Sequence, residues 1–371
     1  VLLLVADGRL GYRVLRCMAE VAERVIVLGS CGECRWKTKG LAKSRFCAAF
    51  VQATWGFQDR RTVDQINDLA SRHPGAVVVA ADLPSACFLA AFGDSLSART
   101  GPVPAAQVLR RLARKDDFAQ LCAEAGIPHP ETAVASDLAD LRRLLRGKPH
   151  AKIFMLKPLD QDGGAGVRKV RASEADRLNL PYAPILVQEF LDGEDLSASA
   201  FCVQGRVLVF QAYRHVVRRL LRKTVHGRME FFDCPRLRDL AGQVVAHTRC
   251  SGVINFDARR TPEGEISLIE CNPRPWYNMH LAMLVGLNFA KYCVDGCDVS
   301  SESGGVRAAV SLAPWGLLFP RHLASLPKHA RHILADAGYY LSVDWPQRAA
   351  LFTRGGSLSV EVLAEGCEQR A

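Results

Sequence analysis

The stretch from Gly252 to Pro275 most limits what this chain can become: Gly-Val-Ile-Asn-Phe-Asp-Ala-Arg-Arg-Thr-Pro-Glu-Gly-Glu-Ile-Ser-Leu-Ile-Glu-Cys-Asn-Pro-Arg-Pro. Val253 to Ala258 predicts a strand, Thr261-Pro-Glu-Gly264 a turn, and Ile266 to Glu270 the return strand. Alternation along the strands lets Asp257 face Glu270 and Asn272 across the hairpin. Two carboxylates and one amide oxygen then surround one point, an all-oxygen set suited to Mg²⁺ when substrate phosphates supply the remaining ligands. Pro273 stiffens the exit, and Arg274 points a fixed cationic fork at whatever such ions hold. A salt-bridged surface hairpin is the competing reading. The order Asp, then Glu 13 residues later, then Asn-Pro-Arg argues against it.

With 371 residues the chain has room for two or three packed subdomains. Hydrophobic residues at 49% and charged residues at 23% describe a soluble globular protein. No apolar run approaches the ~20 residues that span a bilayer. The opening Val1-Leu-Leu-Leu-Val5 is too short for a signal-peptide core and lacks a basic lead-in, so it reads as a buried strand. A start at Val1 rather than Met points to a few residues preceding it.

The 13 scattered cysteines point to free thiols in a reducing, cytoplasmic compartment rather than to a disulfide framework. Cys31-Gly-Glu-Cys34 is a lone pair. Neither Cys47 nor Cys293 and Cys297 clearly supplies the second pair that structural zinc needs. The net charge of +10 comes largely from arginines at 110–114, 142–148 and 214–228. Few aromatics are interleaved with them, and no nucleic-acid-binding signature appears. An anionic small molecule accounts for a basic cleft as well as DNA would.

In chain order, Val1–Ala6, a helix over Tyr12–Ala22, and strands at Arg24–Leu28 and Ala76–Ala81 predict a parallel-sheet α/β domain of about 100 residues. Gly8 and Gly11 fall short of a dinucleotide fingerprint. Ser44-Arg45-Phe46-Cys47 lies on a connection and reads as packing. Gly101-Pro-Val-Pro104 marks a boundary. A helical segment over Ala106–Ala125 follows, carried by Leu109, Leu112, Phe118 and Leu121, and stops at Gly126-Ile-Pro128-His129-Pro130.

The strand Lys152–Leu156 then delivers Lys157-Pro158. A glycine-rich turn containing Gly163, Gly164 and Gly166 leads into a strand at Val167–Val170. Such a turn admits backbone N–H groups to a phosphate, and Lys157 adds a point charge. It is not a Walker loop, because Gly-Lys-Ser/Thr and the following helix are missing. Ile185–Leu191, containing Gln188-Glu189-Phe190-Leu191, is an apolar strand that turns through Asp192-Gly193-Glu194-Asp195 into Leu196–Val203. Tyr213–Arg228 is arginine-rich. After Arg274 come Trp276, His280 and a helical stretch at Leu281–Val285. Gly338–Val343 and Leu358–Leu363 read as strands of a C-terminal extension.

These signals, in this order over roughly Leu2 to Ala290, resemble the ATP-grasp superfamily. Glu270-Cys-Asn-Pro-Arg274 is similar to its carbamoyl phosphate synthetase-like, carboxylate–amine ligase branch. The resemblance implies an α/β and α+β architecture. A Rossmann-like pre-ATP-grasp domain over 1–104 would precede a central and lid subdomain over 105–205 and a catalytic subdomain over 206–294. A C-terminal extension over 295–371 would pack on the core.

The resemblance also implies roles. Lys115 and Lys157 meet ATP phosphates, Gly163, Gly164 and Gly166 cover them, and Glu189 with the Phe190–Leu191 backbone borders adenine. Asp195, or its neighbour Glu194, meets ribose. Asp257, Glu270 and Asn272 hold two Mg²⁺ ions, with Mn²⁺ as an alternative. Arg274 stabilises the transferring phosphoryl group, and one or two basic residues of 214–228 reach the γ-phosphate or the substrate. Trp276 and His280 are candidates for lining the substrate, although packing is the simpler reading of His280.

The implied activity is an ATP-dependent carboxylate–amine ligase that forms an amide through an acyl phosphate and releases ADP and phosphate. Its partners would be a small carboxylate and an amine, with no nucleic acid or membrane, and a homodimer is the expected assembly. The alternatives are bicarbonate chemistry through carboxyphosphate and a catalytically silent nucleotide-binding module.

Overall fold

A computed structural model describes residues 1–31, 38–159, 166–220, 223–296, 308–311, 330–331 and 333–344. For 217–220, 223–228, 309–311, 340 and 344 only the backbone is described. Among the described residues the chain builds three sheets.

The first sheet is parallel, in the order β3-β2-β1-β4-β5. It comprises β1 (Leu2–Val5), helix α1 (Gly8–Met18), β2 (Ile26–Gly29), β3 (Ala49–Gln52), α2 (Thr62–Ser71), β4 (Val77–Ala80), α3 (Leu83–Phe92) and β5 (Arg99–Thr100). β1, β2 and β4 are apolar and buried along their whole length, as a parallel sheet covered on both faces requires. α1 begins earlier than its apolar spacing suggests, because the Asp7 carboxylate accepts from the Arg9 and Leu10 N–H groups and caps the helix there. A Cβ on Gly11 would lie 2.2 Å from Val5 Cγ1, so glycine lets α1 close onto β1.

Strand order reverses between β1 and β4, the place where such sheets commonly take a nucleotide phosphate. Here the buried Asp82 carboxylate accepts from the Ala6 and Asp7 N–H groups at 2.6 and 2.8 Å and caps α3 through Ser85. The backbone donors a dinucleotide would use are engaged by the protein itself.

The predicted helix over Ala106–Ala125 is instead two helices, α4 (Ala106–Ala113) and α5 (Lys115–Glu124). Arg114 between them is extended, at φ −81° and ψ 128°, and the Asp116–Asp117 pair in the first turn of α5 suits a new helix start. Periodicity could not reveal this break, because the apolar spacing runs through it. Lys115 consequently stands at a helix N-terminus.

The second sheet, β6-β9-β7-β8, contains β6 (Thr132–Ala135), β7 (Ile153–Pro158), β8 (Arg168–Arg171) and β9 (Ile185–Glu189). With α6 (Leu138–Arg146) it closes a core of its own around Leu141, Phe154, Leu156 and Val187.

The third sheet runs β14-β13-β10-β11-β12-β15 and is antiparallel throughout. Its strands are β10 (Glu194–Val203), β11 (Arg206–Leu220), β12 (Lys223–Phe232), β13 (Gly252–Arg260), β14 (Ile266–Asn272) and β15 (Ala308–Ser311). β10 therefore lies in the same sheet as the hairpin, across the boundary drawn at 205. One face, with Leu196, Ala198, Phe210, Phe256 and Leu268, packs on α7 (Pro235–Thr248) and α5. The other face carries Phe201, Val209 and Val253 into a core shared with α1, β1, α8 (Met279–Leu284) and α9 (Phe289–Asp295). That shared core joins the parallel sheet to the antiparallel one.

The strand expected at Gly338–Val343 is helical instead: Ala337–Tyr339 is α-helix and Tyr340–Asp344 a π-turn. Asp336, buried beside it, accepts from Tyr12 Oη at 3.1 Å, Ser44 Oγ and the Arg45 N–H, while Tyr339 stacks on Tyr12 at 3.8 Å. The short apolar run thus packs as a helix end on α1, and Ser44 proves to be a packing residue. Leu358–Leu363 lies outside the described residues.

Candidate active site

The hairpin forms as its residues predict, with one difference of register. Asp257 pairs with Glu270, but Ala258 pairs with Leu268, so Ile269 is an extra residue in β14. Simple alternation puts Leu268, Glu270 and Asn272 on one face. The bulge breaks that parity, so Leu268 stays in the core while Glu270 swings to the side of Asp257. Cys271 points the other way and is buried.

Cross-strand partners share a face. The Asp257 face therefore carries Asp195, Ser197 and Ser199 of β10, Asn255 and Arg259 of β13, and Tyr213 of β11. Ser197 Oγ donates to Asp257 Oδ1 at 2.8 Å. Asn272 Nδ2 reaches Glu270 Oε1 at 3.5 Å, and its Oδ1 accepts from Arg274 at 3.1 Å. Arg274 also donates to the Pro275 carbonyl at 3.0 Å, so its guanidinium is held from two sides.

The second sheet supplies Lys157, whose Nζ donates to Gln188 Oε1 at 2.9 Å. Burial pushes the Lys157 ammonium below the usual lysine range; Glu270, Asp257 and Asp195 pull it back, and Lys115 adds to the depression. Burial and the Glu270 charge push the Asp257 carboxyl up to about 7, against the Ser197 hydroxyl and the Lys157 charge. For Glu270 burial acts upward, but Lys157, Lys115 and the hydrogen bonds from Asp257 and Asn272 outweigh it and hold the carboxyl low. Two carboxylates pressed together resist ionising jointly, and the pair keeps a proton near neutrality. This crowded oxygen set, with the Asn272 amide beside it, fits a hard divalent cation.

Asp195 and Glu194 part company. Glu194 lies on the α7 face of the sheet, bound to Arg260 and, at 2.6 Å, to Arg214, which also holds Glu230 at 2.9 Å. Asp195 lies on the Asp257 face and pairs with Arg259. Glu189 at the end of β9 is 3.2 Å from Lys152, and the Phe190 N–H donates to the Ile153 carbonyl at 3.0 Å.

Trp276 packs edge-on against Phe289 at 4.9 Å within the shared core, and His280 is buried on α8. His215 Nε2 meets Asn278 Nδ2 at 3.1 Å. Gly166 is described, with φ +69° and its carbonyl accepting from Tyr182 Oη at 2.6 Å. Gly163 and Gly164, like the side chains of 217–228, lie outside the described residues. Ser197, Gln188 and Arg259 escaped sequence reading. For Ser197 and Arg259 the signal was parity, since they alternate with Asp195 and Asp257 on the same strand faces; Gln188 comes to the face of Lys157 only through the pairing of β9 with β7.

Residues 182–311 match the family model described as ATP-grasp in the biosynthetic pathway with Ter operon. No curated protein sequence matches the chain. Among solved structures, the chain is similar to the biotin carboxylase domain of Hydrogenobacter thermophilus 2-oxoglutarate carboxylase, at 14% identity and TM-score 0.60 over 83% of this chain and 72% of that one. It is also similar to carboxyaminoimidazole ribonucleotide synthase from Aspergillus clavatus, at 16% identity and TM-score 0.60 over 81% and 78%. A third is an L-amino acid ligase from Bacillus licheniformis, at 16% identity and TM-score 0.55 over 79% and 72%. The first was solved with MgADP, ADP and bicarbonate, the second with ATP. With the sheet that carries Lys157 set against the carboxylate hairpin, the chain has the ATP-grasp fold.

Proposed function

We propose that this protein is an ATP-dependent carboxylate–amine ligase. The observation that carries the reading is that Lys157 of one sheet lies close enough to Asp257 and Glu270 of the other for their charges to act on it, with Asn272 bonded to Glu270 and to Arg274. Lys115 and Lys157 would bind the ATP phosphates, with Gly163, Gly164 and Gly166 over them. Glu189 and the Phe190–Leu191 backbone would border adenine. Asp195 is the better placed of the two acidic neighbours for ribose, since it alone lies on the Asp257 face.

Asp257, Glu270 and Asn272 would hold two Mg²⁺ ions, or Mn²⁺. Bound there, the ions would neutralise the charge that develops on the phosphates. A substrate carboxylate oxygen attacks the γ-phosphorus, the bond to the β-bridging oxygen breaks, and ADP leaves. Arg274 stabilises the equatorial oxygens and then the tetrahedral intermediate as an amine attacks the acyl phosphate. Phosphate departs, the amine loses a proton, and an amide remains. No protein nucleophile is needed. The ten cysteines among the described residues are all free, which suits a reducing, cytoplasmic setting.

The test is ADP release with Mg²⁺ and ATP across pooled amino acids and small carboxylates, beside a Glu270→Ala control. Pool-dependent release missing from the control supports the ligase. Release driven by bicarbonate alone would favour the second reading, carboxyphosphate chemistry, which the likeness to a bicarbonate-bound biotin carboxylase domain keeps open.

A further inference from the structure

Arg259 stands where the two sheets meet. Its NH1 group donates to Asp195 Oδ1 and its NH2 group to the Gly193 carbonyl at 3.2 Å. Its guanidinium carbon lies 4.7 Å from the centre of the Phe190 ring, and Lys169 Nζ from β8 lies 3.4 Å from the same ring. The pair is lopsided: the Arg259 side chain is 17% exposed and that of Asp195 82%. The cation is thus packed into the protein while the carboxylate projects from it into solvent.

An exposed aspartate on its own samples several rotamers, and fixing it on binding costs conformational entropy. Arg259 removes that cost beforehand. Its second anchor, the Gly193 carbonyl, belongs to a turn only glycine can make: φ is +132°, and a Cβ there would lie 2.0 Å from the Arg260 carbonyl oxygen. A carboxylate has about four acceptor sites, so the bond from Arg259 leaves others for sugar hydroxyls.

We propose that Arg259 is a positioning residue for sugar selectivity: it locks the Asp195 carboxylate so that the site reads the ribose 2′-hydroxyl and favours ribonucleotides over 2′-deoxyribonucleotides. The inference rests on the nucleotide reading given above. Lysine at this position would keep the charge but lose the two-pronged hold on Asp195 and Gly193.

The test is calorimetric titration of the full chain with ADP and with 2′-deoxy-ADP in Mg²⁺. The expected wild-type preference for ADP is about tenfold, the scale of one hydrogen bond to a charged acceptor. Arg259→Ala and Asp195→Asn should each bring the two affinities within about twofold, with Arg259→Lys between. The Asp195→Asn change is isosteric at an exposed side chain and leaves the fold intact. Equal weakening of both nucleotides in Arg259→Ala, with the ratio kept, would reduce Arg259 to a structural role and overturn the inference. So would a wild type that binds both equally, while the nucleotide reading stood. A wild type that binds neither would overturn that reading, and this one with it.

Discussion

Lys157 shows at single-residue scale what burial and charge do together. Its ammonium is desolvated and kept in place by Gln188 and by the carboxylates opposite. If it meets the nucleotide phosphates, Lys157→Ala removes a charge-assisted contact worth about 1.5–3 kcal/mol. ADP affinity measured by calorimetry should then fall about 10- to 150-fold. Loss of the cation also leaves Glu270 and Asp257 facing each other with less relief, so the variant should not gain stability in a urea melt. An unchanged dissociation constant for ADP would remove Lys157 from the phosphate site. The lysine was legible in the sequence from the strand that delivers it. Gln188 was not, because a glutamine in an apolar strand has no meaning until the neighbouring strand is known.

At the scale of elements, the Glu194–Arg214–Glu230–Arg260 network ties four consecutive strands of the antiparallel sheet, β10 to β13, along one edge. Burial works to raise the Glu194 carboxyl, but the hydrogen bonds from Arg260 and Arg214 outweigh it and hold the carboxyl below the usual glutamate range. A folded value below the unfolded one, near 4.3, means the stabilisation is present above about pH 4.3 and is lost as pH falls through the folded value. Wild type should melt above Glu194→Gln at pH 7, and the gap should close between about pH 5 and pH 3. Melting curves by circular dichroism read this directly. A gap independent of pH would assign the effect to packing instead. In sequence the arginine-rich run at 214–228 pointed to contacts with the γ-phosphate or the substrate, not to these pairs. Which arginine meets which acid depended on strand register, and Arg214 turned out to serve the network on the α7 face.

Across the whole molecule, the parallel sheet and the antiparallel sheet share one core, while the four-stranded sheet with α6 keeps a separate one. A unit with its own core can open and close as a body. Binding of nucleotide between the sheets should therefore slow amide exchange in β7, β8 and β9 more than in β1, β2 and β4. ADP with Mg²⁺ at 100 times its dissociation constant should add about 2.7 kcal/mol to stability, read as a rise in melting temperature. Slowing confined to the parallel sheet would place the nucleotide elsewhere. There the Asp82 carboxylate already holds the Ala6 and Asp7 donors.

The sequence by itself determined the local pieces. Buried parallel strands follow from continuous apolar runs, the hairpin from alternation around Thr261-Pro-Glu-Gly264, and the oxygen set from residue types and their order. Local rules act over a few residues, so they can be read along the chain. The helical turn at Ala337–Tyr339 and the Ile269 bulge were decided by tertiary structure alone. In each the chain departs from its own periodicity because a distant partner supplies the compensation. The bulge is the case that bears on function: core packing of Leu268 and the facing of Glu270 towards Asp257 cannot both be met by strict alternation. One extra residue, paid for by the fold around it, satisfies both.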